Sequence, residues 1–537
     1  MTAPSYTTDL TVIDDAQDET SWSELSSPWD ASLSGPSDDT ENYIADLSSG
    51  GTPQGISCTT TKTGIASMVA NNGSGISWTT GDVFLVWVVY TSTKAMDSYA
   101  NGGLRAVAGS GLSAFDSWDI GGKDRNPNPR GGWYNVAVDP QQTYDDRVGS
   151  PTTSPQYFGV AVLTTKGINK GFPFVTDAVR YGRAELIVEY GETADYATFA
   201  GMAAANDDDT ARWGIFEGYE TGYLWKGLMS LGTSTNAIDM RVPGGASISI
   251  QDCPKCYAAF NAIEINNAGS NIEWSGVVIS ALGTHSPGSF TMAANATTDM
   301  TLCTFKGMGA FVFGGTNTSI TNSTWASCGD ITAPGGTFTG CKILAPTTAV
   351  DGSAFTWSVT TNTDGYLDNM AFSIGANAHH AISFSNASAS TYSLNGIDFS
   401  GFNASDSQND STFYVAATTG TVTITCTGCT GNLTYKSAGA TVVVSSDVTV
   451  TFTGMKDNTE VRVYAAGTST ELDGIENATS GTQDNRSFAA VVAASTSVDY
   501  WIFAVGYLAI KVKAFSWPAT AQSIAVQQVV DRNYSNP

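Results

Sequence analysis

The stretch from Gly245 to Val450 is a loosely repeating run of very short β-type segments. Apolar residues alternate with Ser, Thr or Asn in Ala246–Ile250, Phe355–Val359 and Thr421–Cys426, and Gly, Asn or Asp stands in the gaps. A strand this short cannot bury its apolar face alone, so the segments must stack on one another. The pattern predicts a central right-handed parallel β-helix over 246–446, with irregular coils of roughly 20 to 28 residues.

The regions on either side of this repeat have the strand spacing of small β-sandwiches. Residues 1–190 hold six of the thirteen Trp residues and contain strand candidates separated by turn-rich segments, which is typical of a sandwich. These candidates are Val83–Tyr90, Leu104–Ala108, Trp133–Val138, Tyr157–Leu163 and Glu185–Val188.

Residues 191–245 contain the only helical pattern, over 194–205, and a hairpin. We expect this linker to cap the open end of the β-helix, because unpaired strand edges must be covered. Residues 447–537 alternate cleanly and predict a small immunoglobulin-like β-sandwich, in which 467–486 forms a long loop. The predicted fold class is therefore all-β.

The charge balance argues against two classes of partner. The 537 residues include 24 basic and 50 acidic side chains, a net charge of −26. Nucleic acid is not expected as a partner, because phosphate contacts need clustered Lys and Arg. The longest apolar runs, Val83–Tyr90 and Tyr500–Ile510, are shorter than the roughly 20 residues that span a bilayer, so no membrane insertion is expected. Residues Met1–Tyr6 lack the pattern of a signal peptide, which predicts synthesis in a cytoplasm.

The eight cysteines are sparse for a chain of this length, so disulfides are not its main support. Cys303, Cys328 and Cys341 stand in strand-like segments and are predicted to be core thiols. Cys253–Cys256 and Cys426–Cys429 are CxxC pairs, and each is either a local disulfide or a free dithiol. A shared zinc site is disfavoured because a β-helix would hold the two pairs far apart, and a thioredoxin-like role is disfavoured because neither pair begins a helix.

The sequence contains three histidines, so it offers few candidates for a catalytic or metal-binding histidine. The adjacent pair His379 and His380 is interpreted as exposed turn residues, and His285 is the third histidine. No motif of a nucleotide-binding loop, a zinc protease or a nucleophile elbow is present. We therefore predict no catalytic residue, no metal site and no cofactor. The acidic run Asn206–Thr210 is interpreted as a helix stop, with calcium binding as the alternative.

Paired carboxylates keep an enzymatic alternative open. Glycoside hydrolysis needs two carboxyl groups about 5 to 9.5 Å apart. Acidic residues in turn-like contexts of the predicted β-helix are the candidates, although Asp is also favoured in turns for structural reasons. These residues are Asp364, Asp368, Asp398, Asp406 and Asp410.

Residues 1–190 resemble the jelly-roll modules of carbohydrate-binding proteins. The resemblance rests on Val12–Asp15 followed by Ser21 and Trp22, on Gly132–Val138, and on Phe174–Tyr181. It implies that aromatic side chains bind sugar rings by stacking. The candidates for this role are Trp118, Trp133 and Tyr134.

The whole chain resembles the surface proteins of tailed bacteriophages in its domain order and its Gly-, Ser-, Thr- and Asn-rich acidic composition. This resemblance implies a non-enzymatic structural and adhesive protein on the virion surface, either a capsid decoration protein or head fibre or a tail fibre. It implies other virion proteins as partners, a homotrimeric assembly and glycan binding. The alternative is a tailspike polysaccharide depolymerase, and a secreted bacterial adhesin is disfavoured by the missing signal peptide.

Overall fold

The computed structural model describes residues 3–8, 10–16, 18–26, 32–39, 55–60, 64–90, 93–126, 133–164, 172–191, 195–207, 214–219, 221–293, 295–494, 496–518 and 521–534. It confirms the predicted all-β class: the described residues form many strands and a single α-helix, Phe199–Asp207. None of the described helices is long and apolar enough to cross a membrane. The chain divides into two compact units, 1–336 and 337–537.

The first unit begins with two six-stranded antiparallel sheets. Sheet A contains, in spatial order, Tyr134–Val138, Val83–Tyr90, Phe172–Gly182, Gly55–Thr60 and Ser32–Asp39, and Thr11–Asp14 pairs with Phe172–Gly182. Sheet B contains Asp146–Val148, Ala114–Gly121, Leu104–Gly111, Tyr157–Thr164, Gly64–Asn71 and Trp22–Ser23. Short 3₁₀ helices cover Glu19–Ser21, Thr93–Ala95 and Tyr99–Asn101.

One apolar core lies between these two sheets and contains residues of both. Sheet A is buried on its second face as well, which explains why Val83–Tyr90 is apolar at consecutive positions rather than at alternate ones. On that second face Asn135 donates a hydrogen bond of 3.3 Å to the carbonyl of Gly214. Later segments of the unit therefore pack directly on the strand Tyr134–Val138.

The rest of the first unit contains the α-helix and three sheets whose successive strands pair in parallel. Sheet C contains Glu185–Glu189, Leu228–Leu231, Ala262–Ile265, Ser289–Met292, Phe311–Val312 and Ile331–Ala333, with Ser5–Thr8 antiparallel at its edge. Sheet D contains Gly222–Trp225, Ala246–Ile250, Val277–Ala281, Thr304–Lys306 and Thr324–Ala326, with Phe216–Tyr219 as a hairpin partner. Sheet E contains Asp239–Val242, Asn271–Ser275, Thr297–Thr301 and Thr318–Thr321.

The chain visits sheets C, E and D in turn and returns each time to the next strand of the same sheet. In sheet C, Leu228 pairs with Ala262, 34 positions later, whereas Phe311 pairs with Ile331, 20 positions later. Parallel pairing starts with Glu185–Glu189 and Leu228–Leu231, ahead of the boundary expected at residue 246. The segment expected to be only a cap thus already supplies strands to all three sheets.

Aromatic side chains stack from strand to strand inside these sheets. The rings of Phe290 and Phe311 are stacked at 5.8 Å, and those of Phe305 and Trp325 at 5.6 Å. Cys303 and Cys328 are buried among them, as expected of core thiols. Burial raises the pKa of both thiols to about 11.

The second unit also contains three runs of parallel strands. They are Ser353–Trp357, His380–Phe384, Phe413–Val415 and Tyr435–Ser437; Lys342–Leu344, Ala371–Phe372, Asp398–Phe399 and Thr430–Gly431; and Thr337–Thr339, Leu367–Asp368, Thr391–Asn395, Thr421–Thr427 and Thr441–Met455.

The C-terminal part of this unit has two sheets around a shared core. One continues Thr441–Met455 with Asn485–Ala493, Ser480–Thr482 and Gln522–Ala525; the other contains Glu471–Ile475, Glu460–Ala465, Ser497–Phe503 and Ile510–Ser516.

Two details of this part differ from the sequence-based expectation. The boundary expected between 446 and 447 falls inside Thr441–Met455, a single strand that pairs in parallel at its start and antiparallel further on. The prediction of one long loop over 467–486 is wrong, because Glu471–Ile475 and Ser480–Thr482 are strands there. Both strands are largely exposed, so they lack the buried alternation that marks a strand in sequence.

Candidate functional site

The first sandwich carries a cleft of about 500 Å³. Strand Ala114–Gly121 supplies one wall, and the segment around Pro151–Pro155 supplies another. Indole rings, an ion pair and side chains with hydroxyl or amide groups line it. These residues are Trp78, Trp118, Asp116, Arg147, Gln141, Thr152 and Ser154.

The two indole rings of the cleft are fixed by packing from behind. Trp118 is only 2% exposed, its Nε1 donates to the carbonyl of Gln142 at 3.1 Å, and its ring meets Phe84 edge-on. Trp78 is half-buried and stands edge-on to Phe158, with ring centroids 5.7 Å apart. Trp78 is therefore the ring that a ligand can reach, and its packing against Phe158 holds it in place.

An ion pair forms the polar side of the cleft. Arg147 Nε lies 2.5 Å from one oxygen of Asp116, and Nη2 lies 2.8 Å from the other. The guanidinium carbon lies 4.0 Å from the centre of the Tyr144 ring, which is 39% exposed. The hydrogen bonds to Asp116 raise the pKa of Arg147, so this side chain stays charged. Asp116 occupies Nε and one hydrogen of Nη2, which leaves Nη1 and the second hydrogen of Nη2 as donors beside a carboxylate for the hydroxyl groups of a ligand.

The three predicted stacking residues are not brought together on the surface. Trp118 forms a buried wall of the cleft rather than an exposed platform, and Tyr134 is 4% exposed and faces Lys226 instead. Trp133 is half-buried and does not line the cleft. Sequence reasoning missed Trp78 and Arg147, because neither stands in a recognisable motif.

The interpretation of His379 and His380 as exposed turn residues is wrong. Both are completely buried. His379 Nε2 accepts a hydrogen bond from the backbone of Gly375 at 2.8 Å. His380 Nδ1 lies 2.5 Å from the carbonyl of Ser411, and its Nε2 lies 3.1 Å from a carboxyl oxygen of Asp351. Their burial is tolerated because these polar atoms are paired.

Three of the five candidate carboxylates accept hydrogen bonds from nearby turns or from neighbouring strands. Asp398 accepts hydrogen bonds from Ser400 and Thr430, which lower its pKa. Asp406 accepts from the backbone of Tyr435. Asp410 accepts from Asn403. These contacts are those expected of structural Asp residues.

Asp364 and Asp368 are brought together by a shared donor. Asn395 Nδ2 lies 3.1 Å from an oxygen of each carboxylate, so these two oxygens are at most about 6 Å apart. Such a separation overlaps the range of about 5 to 5.5 Å found in retaining glycosidases. The exposed ring of Tyr366 lies between them in sequence.

A second groove of about 480 Å³ lies on sheet E of the first unit. Arg241, Glu273 and Asp299 are in register on adjacent strands. Arg241 lies 5.3 Å from the Tyr196 ring and pairs with Asp239 at 3.0 Å. The groove is therefore a charged surface, but its carboxylates are exposed and partly neutralised by Arg241.

Metal ligands are not clustered in the described ranges: no three His, Cys, Asp or Glu side chains there are close enough to hold an ion. None of the eight cysteines, all of which lie in the described ranges, forms a disulfide in the structure. The calcium alternative for Asn206–Thr210 lies largely outside the described residues, since the description stops at Asp207, where the α-helix ends.

No protein-family model and no curated protein matches the chain. Among solved structures, it is similar to the family 11 carbohydrate-binding module from Clostridium thermocellum in complex with a β-1,3-1,4-mixed-linked tetrasaccharide, with 13% identity, 32% of this chain and 94% of that chain covered, and a TM-score of 0.20. It is also similar to an exo-β-agarase, with 10% identity, 32% of this chain and 25% of that chain covered, and a TM-score of 0.20. A further similar structure is the catalytic domain of a GH87 α-1,3-glucanase in complex with nigerose, with 9% identity, 81% of this chain and 95% of that chain covered, and a TM-score of 0.17. At these TM-scores the function must be argued from the residues themselves.

Proposed function

We propose that this protein is a non-enzymatic glycan-binding protein and that the cleft of its first sandwich is the binding site. The observation that carries the proposal is the half-buried ring of Trp78, with the buried Trp118 behind the cleft wall, beside the Asp116–Arg147 ion pair in one cleft. Sugar rings have an apolar face and a rim of hydroxyl groups, so a ligand of this class uses both walls at once.

The geometry favours a neutral polysaccharide over a charged one. Asp116 already neutralises Arg147, so the described residues of the cleft offer no unpaired cation for an acidic sugar. The bidentate pair presents donors and an acceptor side by side, and the amide of Gln141 adds further hydrogen-bonding capacity. The ring of Tyr144 packs against the guanidinium group of Arg147.

Arg147→Ala tests the cleft. Affinity electrophoresis against a panel of soluble neutral polysaccharides, followed by calorimetry on the best ligand, should show binding by the natural protein. We expect a loss of affinity of at least about tenfold in Arg147→Ala, since a bidentate partner is removed. Arg183→Ala is the matched control, because Arg183 is similarly exposed (46% against 41%), is paired with Glu185, and does not line the cleft. Equal affinity of the two variants would refute the site.

We also propose the finer architecture and the setting that the sequence predicts. The first sandwich would be a jelly roll, the turns of sheets C, D and E a right-handed parallel β-helix, and the C-terminal sheets an immunoglobulin-like sandwich. The protein would be displayed on a phage particle as a capsid decoration protein, head fibre or tail fibre. Support comes from the acidic composition and the domain order. Gold-labelled antibody on intact particles checks the location, and unlabelled particles would count against it.

A depolymerase remains the second candidate, favoured by the shared contact of Asp364 and Asp368 with Asn395. In that case, incubation with host surface polysaccharide would release new reducing ends, and Asp368→Asn would abolish the release. Asp410→Asn is the control, because that carboxylate is bonded to Asn403 in a separate turn. Binding without release of reducing ends would support the non-enzymatic proposal instead.

A further inference from the structure

The CxxC segment of the first unit is a closed turn. The backbone N–H of Cys256 donates to the carbonyl of Cys253 at 3.2 Å, and Pro254 occupies the second position of the turn. A four-residue turn keeps its end Cα atoms within about 7 Å, and a disulfide needs about 4.4 to 6.8 Å. The two sulfurs can therefore be joined without rebuilding the backbone.

A buried lysine lies beside this turn. Lys226 is completely buried, and its Nζ has no hydrogen-bond partner among the described residues; it lies 5.0 Å from the centre of the Tyr134 ring. An ammonium group in such a place is costly unless an anion stands near it. Burial lowers the pKa of Lys226, and the Cys253 and Cys256 sulfurs oppose this shift more than Glu217 does. A thiolate in the turn would supply the counter-anion that keeps this ammonium charged.

We propose that Cys253 and Cys256 are a redox-active dithiol that reacts with peroxides, with Cys253 as the nucleophile and Lys226 as the positioning residue that holds its charge. Both sulfurs are buried, at 2% and 7% exposure, which favours a small oxidant over a protein disulfide. This site lies outside the proposed glycan cleft and does not depend on it.

The proposed reaction has two steps. The Cys253 thiolate attacks a peroxide oxygen, an S–O bond forms, the O–O bond breaks, and hydroxide leaves and takes up a proton as water. The Cys256 sulfur then attacks the sulfenic acid, an S–S bond forms, and a second water leaves. Two thiols thus lose two electrons and two protons, while hydrogen peroxide is reduced to two molecules of water.

The electrostatics of the pair agree with these roles. Burial opposes a thiolate at Cys253, but the hydrogen bond with Cys256 and the Lys226 ammonium outweigh it and lower the pKa of Cys253. Burial and the same hydrogen bond raise the pKa of Cys256. In other CxxC dithiols a helix N-terminus supplies the positive field, whereas here a buried ammonium does so. The other titratable or charged groups that act on this cluster are Asp252, Asp139, Glu217, Arg180, Tyr134 and Tyr257.

The turn also joins two parts of the first unit. Cys256 Sγ lies 3.5 Å from the carbonyl of Ala137, which competes with the Cys253 sulfur for the one S–H of Cys256, and Lys255 Nζ lies 2.5 Å from Asp145. The carbonyl of Lys255 accepts from the backbone of Asp139. Formation of the disulfide removes the S–H donor to Ala137, so oxidation changes the contact between strand Tyr134–Val138 and the parallel sheets.

Oxidation of the full chain by hydrogen peroxide tests the proposal. After alkylation and digestion, mass spectrometry should find the peptide with Cys253 and Cys256 lighter by two hydrogens, while Cys303 and Cys328, whose pKa burial raises to about 11, stay reduced. The rate of disulfide formation should rise with pH and reach half its maximum at a pH below about 8.5, which is the pKa of a free cysteine thiol. Absence of this disulfide, or a profile like that of a free cysteine, would overturn the proposal.

Two lysine variants separate the role of charge from that of packing. We expect Lys226→Met to slow the oxidation about tenfold at pH 7 and to move its pH profile upward, because the counter-charge of the thiolate is gone. Lys306→Met, at an exposed position of Thr304–Lys306, should leave both unchanged. An unshifted profile in folded Lys226→Met would refute the role of Lys226. If that variant does not fold, the pH profile of the natural protein still decides.

Discussion

At the scale of single residues, Asp351 shows how an exposed carboxylate can anchor a buried ring. Lys436 Nζ lies 2.6 and 2.7 Å from its two oxygens, and His380 Nε2 lies 3.1 Å from one of them. The hydrogen bond with Lys436, helped by that with His380, lowers the pKa of Asp351. A carboxyl group whose pKa is lower in the folded than in the unfolded chain stabilises the fold above its unfolded pKa. That contribution disappears as the pH falls through the folded pKa.

Lys436→Met should therefore destabilise the protein at pH 7 and not at strongly acidic pH. The expected loss at pH 7 is about 1 kcal/mol or less, because the Asp351 side chain is 42% exposed and solvent screens the pair. Urea unfolding at both pH values measures the difference. Lys342→Met, an exposed lysine outside this cluster, is the control. A loss that is equal at both pH values would mean that packing, and not charge, is involved.

At the scale of elements, the corners of the parallel sheets depend on single residues with positive φ. Gly276 lies between Asn271–Ser275 and Val277–Ala281 with φ +68°, and Leu302 takes the equivalent position after the next strand of sheet E, Thr297–Thr301, with φ +56°. A Cβ at Gly276 would meet its nearest atom at 3.6 Å, so space is available there. The cost of a side chain at this corner comes from the backbone conformation alone.

Gly276→Ala should consequently lower the free energy of unfolding by about 1 kcal/mol, and Leu302→Gly should raise it by a smaller amount. Leu302 is 60% exposed, so its loss removes little packing. Gly244→Ala is the control, because its φ is not positive and a Cβ there would meet nothing within 4 Å. Thermal unfolding of the three variants gives the comparison, and effects of the same sign at Gly276 and Leu302 would contradict the account.

The elements differ in how much of them the sequence reveals. Val83–Tyr90 was predictable to the residue, because an unbroken apolar run between turn residues defines its own ends. The positive φ of Leu302 was not predictable, because leucine is not a residue that favours turns. His379 and His380 look like surface residues, and the partner that lets His380 be buried, Ser411, lies 31 positions away. Arg147 and Asp116 likewise meet only through strand pairing. Contacts between distant residues of this kind are set by tertiary structure.

At the scale of the whole molecule, the net charge of −26 opposes self-association. Any assembly of identical chains must overcome this repulsion, which salt screens with a Debye length of about 10 Å at 0.1 M. The expected homotrimer should therefore be stabilised by salt. This dependence distinguishes it from aggregation at the sequence pI of 4.2, where the repulsion vanishes.

Sedimentation equilibrium at pH 7.5 gives the measurement. In about 0.5 M NaCl we expect a molar mass of three times 56.1 kDa. In about 0.01 M NaCl we expect the trimer to dissociate in part, because the charges of the three chains are then poorly screened. A series of protein concentrations at each salt level separates reversible assembly from aggregation. A mass of 56.1 kDa at every salt and protein concentration would rule out the trimer. The glycan cleft would be unaffected by that result, because the residues that form it all belong to one chain.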